Sequence, residues 1–183
     1  MEKRQTCDLA GIWRFEIDKE DRGFAEHWEK RRLTHTITLP GCLQAQGYGD
    51  AISEDTPWVQ SLYDALWYQR GEYAYAQENG TKVPFLSQPP RHYTGKAWYQ
   101  KTIFVPEKSD GFVGRLTLEN TKWKTTLWID GECKGSIVSL CAPHVYETGE
   151  LSAGEHTVTL CIDNGWQLPY RPDGHGVSDA LGA

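Results

Sequence analysis

The sequence predicts an all-β protein, an antiparallel sandwich or barrel. Three observations carry that prediction. Short segments of strand-forming residues alternate between apolar and polar positions with a period of two. Two such segments, in "TTLWIDGECKG" (125–135), are joined by Asp130-Gly131. That two-residue link suits hairpin turns with positive φ at both central positions. The chain also holds 8 Trp, 9 Tyr and 5 Phe against a single Met, a balance that suits β-sheet.

The elements follow in order. Trp13, Phe15 and Ile17 alternate with Arg14, Glu16 and Asp18, which predicts a half-buried strand. Residues 21–33 carry mixed charge and place Phe24 and Trp28 four apart, which predicts one short helix. Residues 35–40 read as a short strand stopped by Pro40-Gly41. Residues 41–96 show no sustained period and read as a long aromatic loop insert, with a helical turn at 61–71. A connection that long inside one domain usually carries function. Residues 97–106 predict a strand with Tyr99, Lys101, Ile103 and Val105 on one face and Trp98, Thr102 and Phe104 on the other. Leu116 and Leu118 mark another strand at 115–120. In the hairpin, Leu127 and Ile129 share one face while Thr126, Trp128 and Asp130 share the other. Residues 152–156 read as a turn, and Val158, Leu160 and Ile162 mark the strand after it. The tail, about 165–183, breaks the order and reads as the start of a truncated connection. The 183 residues suggest one domain, 1–183, large enough to bury a core.

The formal net charge is −6, and no run of Lys and Arg occurs. Neither nucleic acid nor a membrane is therefore expected as a partner. No apolar stretch approaches the ~20 residues that span a bilayer. The N-terminus has no apolar signal core. That is the N-terminus of a cytoplasmic protein, or of a periplasmic or extracellular one whose signal peptide has been removed. The five cysteines are scattered and form no C-x-x-C, so most read as small buried hydrophobes.

Several catalytic signatures are absent. "GVSDA" (176–180) lacks the last glycine of a serine-hydrolase elbow. The six histidines have no metal-ligand spacing, and no nucleotide loop occurs, so no metal or cofactor is expected. Carboxylates are the remaining candidates. Glu54 and Asp55 follow a glycine-rich stretch, and Asp173 and Asp179 lie in the tail. Glycoside hydrolysis uses two carboxyl groups ~5–9 Å apart, but solvated loop acids would read the same way.

Five phrases, in order, add to this reading: "LAGIWRFEID" (9–18), "ITLPGCLQAQGYGD" (37–50), "GKAWYQKTIFVP" (95–106), "RLTLENTKWKTTLWIDGECKG" (115–135) and "PHVYETGELSAGEHTVTLCIDN" (143–164). Together they resemble the N-terminal sugar-binding domain of family 2 glycoside hydrolases, the β-galactosidase, β-glucuronidase and β-mannosidase relatives. The resemblance implies a jelly-roll sandwich similar to galactose-binding domains. It implies a parent enzyme that is a retaining, β-galactosidase-like glycosidase acting on β-glycosides in carbohydrate metabolism. In that family both catalytic glutamates belong to a (β/α)₈ barrel, and a barrel takes ~250 residues. The 183 residues here cannot hold one. The expectation is a chain with no catalytic residue, inactive alone, whose partners are a carbohydrate and the remaining domains of the parent.

The resemblance also implies sugar contacts. A loop of this domain reaches the active site in the β-galactosidases, and its pattern matches Gly47, Tyr48 and Asp55. Asp55 stands where those enzymes usually carry Asn. Asp179 matches a second contact. Trp58 leads the aromatic run of the insert, which could stack on sugar, cover a sheet or meet the missing domains. Trp123 and Trp128 are expected to pack rather than bind. A stand-alone carbohydrate-binding module using surface aromatics is the alternative, and a protein-interaction module is a third possibility.

Overall fold

The computed structural model describes residues 6–51, 91–107 and 113–165. They form eight strands: β1 (Gly11–Asp18), β2 (His35–Leu39), β3 (Lys96–Val105), β4 (Val113–Leu118), β5 (Lys124–Ile129), β6 (Glu132–Val138), β7 (His144–Glu150) and β8 (Gly154–Asp163). The first sheet has six strands in the order β2-β1-β3-β8-β5-β6, and the second pairs β4 with β7. Every pairing is antiparallel. The all-β antiparallel sandwich expected from the sequence is what forms.

Strand register explains the core. Phe15 lies opposite Tyr99, Tyr99 opposite Leu160, and Leu160 opposite Leu127. This row crosses four adjacent strands on one face, because side chains alternate with period two. It packs with Leu116 and Tyr146 of the small sheet in one buried cluster. A polar tie is set into the same interface. The Thr125 hydroxyl lies 2.6 Å from both His144 Nδ1 and the Tyr146 hydroxyl, and Tyr146 donates to the Thr125 carbonyl at 2.9 Å. His144 Nε2 faces the Ser139 carbonyl at 3.1 Å. Burial without such partners would cost ~1–3 kcal/mol for each polar group.

The opposite face of the large sheet is also covered. Trp98, Trp128 and Cys161 pack there under Trp28 and Leu33. Trp98 and Trp128 stack at 5.1 Å between ring centroids, and Phe24 closes on both. Trp123 and Trp128 are buried, as the sequence reading expects.

The cover is not the helix expected over 21–33. It is a chain of turns with one short 3₁₀ turn, Trp28–Lys30, preceded by His27 in the left-handed region. The cause is Asp18 at the end of β1. Its carboxyl oxygens accept from the backbone N–H groups of Arg22 and Gly23 at 2.8 Å, and from Trp98 Nε1 at 3.2 Å. Those contacts turn the chain before a helix can propagate. A Cβ on Gly23 would stand 2.4 Å from Trp98 Nε1, so only glycine fits.

The hairpin turn forms as the sequence indicates. Ile129 pairs with Glu132, and Asp130 and Gly131 have φ of 51° and 80°. The turn before β8 comes slightly earlier than expected, since β7 ends at Glu150 and β8 already starts at Gly154. The cysteine expectation fails. Cys161 is buried, but Cys7, Cys42, Cys133 and Cys141 are exposed. Cys133 lies on edge strand β6, Cys7 precedes β1, and Cys42 and Cys141 lie in connections between strands.

Candidate functional site

The chain after β2 builds a strap along that edge strand. Gln46 imitates a strand partner: its Oε1 accepts from the Thr38 N–H, and its Nε2 donates to the Thr38 carbonyl, both at 2.8 Å. Two residues on, the Tyr48 hydroxyl donates to the Thr36 carbonyl at 2.7 Å. Gly47, at φ 87°, closes the 3₁₀ turn Gln44–Gln46 and lets the strap change direction. The Tyr48 ring meets Phe15 edge-on at 4.6 Å. Gln44 is buried, and its Nε2 has no hydrogen-bond partner among the described residues.

The strap ends where the chain later returns. Asp50 and His92 exchange backbone hydrogen bonds of 2.7 and 3.0 Å. Lys19 pairs with the Asp50 carboxylate. Burial pushes the His92 imidazole below its ordinary value, against the raising effect of Asp50. Tyr93 is buried and donates to the Lys96 carbonyl at 2.5 Å. Burial, with the Asp18 charge next, drives the Tyr93 hydroxyl far up, so it acts as a donor at any ordinary pH.

Asn164 ties the end of β8 to the same place. Its Oδ1 accepts from the Gly95 N–H at 2.7 Å, and its Nδ2 donates to the Tyr93 carbonyl at 3.1 Å. Lys96 reaches Asp21 at 2.5 Å and Asp163 at 3.8 Å. Burial opposes the Lys96 charge, but the Asp21 hydrogen bond and the two carboxylates raise its pKa overall. The residues flanking 52–90 and 166–183 therefore meet at one end of the six-stranded sheet.

Of the residues singled out in the sequence, Tyr48 stands at this end, fixed by its ring and its hydroxyl. Asp55, Trp58 and Asp179 lie outside the described residues, as do the helical turn at 61–71, most of the insert and the tail. Sequence reasoning missed Asp18, Tyr93 and Asn164, which hold the end together. Asp18 looked like an outward strand residue. Its use as a turn anchor was signalled only by the Arg22-Gly23 that follows. Among the described residues, no three His, Cys, Asp or Glu side chains gather as metal ligands. Nor is any described helix long and apolar enough to cross a membrane.

No protein-family profile matches the sequence. A β-glucuronidase from Paenibacillus borealis is 27% identical over 168 residues, covering 90% of this chain and 22% of that protein. The chain is homologous to part of a β-glucuronidase. The resemblance carried by the five phrases is thus borne out on its β-glucuronidase side. Solved β-glucuronidase structures from Ruminococcus gnavus share the fold. One superposes with a TM-score of 0.53 at 18% identity, covering 85% of this chain and 20% of that one. A complex with uronic deoxynojirimycin gives 0.54 at 18% identity, covering 88% and 22%. The chain spans about a fifth of the length of the relatives it matches.

Proposed function

We propose that the chain is the sugar-binding sandwich of a longer family 2 glycoside hydrolase of β-glucuronidase type. In this reading it supports and partly lines an active site whose acid/base and nucleophile lie in a barrel elsewhere in the polypeptide. The observation that carries the proposal is the 168-residue match to a β-glucuronidase at 27% identity. The β-galactosidase-like parent that the resemblance implies gives way in this reading to one acting on β-glucuronides, since the relatives named are β-glucuronidases.

The geometry of the strap supports a positioning role. Tyr48 commits its proton to the Thr36 carbonyl. That leaves its oxygen lone pair as an acceptor and holds the loop that leads to Asp55. We assign the sugar contacts to Asp55, Asp179, Tyr48 and Trp58. A carboxylate accepting from sugar hydroxyls makes strong charge-assisted hydrogen bonds, and an indole face covers an apolar ring face. These residues form half a site and need the rest of the polypeptide for affinity.

Calorimetric titration of the 183-residue chain with glucuronate, galactose and short oligosaccharides tests this reading. The expected result is no binding at millimolar concentration. Millimolar or tighter binding, lost on replacing surface aromatics, would instead make the chain a stand-alone carbohydrate-binding module.

A further inference from the structure

Two turns at the far end of the sandwich are joined through one histidine. Asp130 heads the β5–β6 turn with φ 51°. Its Oδ1 accepts from the Thr157 N–H at 2.7 Å, and its own N–H donates to the Thr157 carbonyl at 2.9 Å. Its Oδ2 lies 2.6 Å from His156 Nδ1. The other ring nitrogen, Nε2, lies 2.8 Å from the carbonyl of Ser152 in the β7–β8 turn. Both partners of the imidazole are pure acceptors. A neutral imidazole carries one N–H and can satisfy only one of them, whereas the imidazolium satisfies both. His144 differs: its Nδ1 faces the Thr125 hydroxyl, which can donate or accept.

We propose that His156 is a pH-sensitive latch that, while doubly protonated, clamps the Asp130-Gly131 turn to the β7–β8 turn and releases one of them when it loses a proton.

The surroundings favour the closed state. The Ser152 carbonyl and then the Asp130 carboxylate raise the imidazole above its ordinary 6.5, against burial. Partial burial alone would raise Asp130. Hydrogen bonds from Thr157 and His156, with the charges of His156 and Lys134, outweigh it and hold the carboxyl below its usual 3.8. On β6, Lys134 is itself paired with Glu132 at 3.0 Å. On β3, Ile103 lies opposite His156, and Lys101, two positions along, turns its ammonium to the Ala10 and Ile12 carbonyls. Glu155 precedes His156 on β8 and points to the other face, and Glu150 ends β7 exposed.

The sign follows from the two directions. The raised histidine contributes stability that is complete below 6.5 and is lost as pH climbs through its folded value. The depressed aspartate contributes stability present above 3.8 and lost as pH falls through its folded value. The latch is closed between those limits and opens on either side.

Imidazole ¹⁵N NMR on the full chain, with amide hydrogen exchange across the same pH range, tests the latch without any variant. The expected result is a doubly protonated His156 at pH 6.5 and an apparent pKa above that value. Amides of one of the two turns, Thr157 beside Asp130 or those of the β7–β8 turn, should lose at least tenfold in protection as the ring titrates. Asp130→Asn should lower the ring's proton affinity about tenfold, and His156→Gln should make protection in both turns independent of pH in that range. A His156 that titrates at or below 6.5 would overturn the proposal. So would protection that stays constant in both turns, at Thr157 and in the β7–β8 turn, while the ring loses its proton.

Discussion

Phe15 and Trp98 are both fully buried on neighbouring strands, yet they belong to opposite faces of the large sheet. Around Phe15, regular strands meet regular strands, and a row of apolar side chains packs on the small sheet. Around Trp98, the covering layer is an irregular segment with almost no backbone pairing to the sheet. Side chains of the sheet hold it instead. Arg14 donates to the Leu33 carbonyl at 2.9 Å, Gln100 to the Arg31 carbonyl at 3.1 Å, and Glu16 takes Arg31 through two hydrogen bonds of 2.9 and 3.0 Å. Arg31 also stacks over Trp28 at 4.2 Å. One face is thus held by repeated burial and the other by a few polar pins around an aromatic cluster. Loss of a pin should loosen a layer, whereas loss of a core side chain should weaken the whole sandwich.

The largest effect should come from the strand-built face. Phe15→Ala removes a fully buried ring, and truncations of this kind cost ~3–5 kcal/mol. Urea unfolding followed by circular dichroism and by tryptophan fluorescence should show one coincident, earlier transition. On the pinned face, Gly23→Ala forces a Cβ within 2.7 Å of Asp18 Oδ2 as well as against the Trp98 ring. Overpacking of this kind costs up to about 3 kcal/mol. Here tryptophan fluorescence should shift to the red before the circular dichroism changes. Coincident transitions would erase the proposed difference between the faces.

Thr125→Val should cost about 1–2 kcal/mol in the same assay. It deprives His144 Nδ1 and the Tyr146 hydroxyl of a partner within the strand-built face. The smallest effect belongs to Glu16→Gln. The Arg31 hydrogen bond, despite opposing burial, holds the Glu16 carboxyl below its usual value. Its contribution is therefore present above pH 4.5 and lost as pH falls through the folded value. Arg31 is partly exposed, so the difference between wild type and variant should be about 0.5–1 kcal/mol at neutral pH. Unfolding curves should converge in acid.

The strand-built face was largely legible in the sequence, because alternation in residues 13–17, 99–105, 127–129 and 158–162 points straight at a core. Strand β7 escaped that reading. Its buried positions are His144, Tyr146 and Thr148, which look polar until their hydrogen-bond partners are known. The pinned face was misread as a helix. The spacing of Phe24 and Trp28 fits a helix, while the competing pull of Asp18 on two N–H groups acts from the preceding strand. At the candidate site, Tyr48 was legible as a loop residue. Its anchor on Thr36 was not, because the strap's path along β2 is set by Gln46 acting as a strand mimic. The strap, the Asp50–His92 bridge and the Asn164 tie are contacts between distant segments, which no local pattern encodes.

The central claim is that this sandwich serves a catalytic centre it does not contain. Incubation of the 183-residue chain with nitrophenyl β-glucuronide, with release of nitrophenol followed over hours, tests it most directly. The account predicts a rate equal to the buffer blank. Steady hydrolysis that disappears on Asp55→Asn would contradict it.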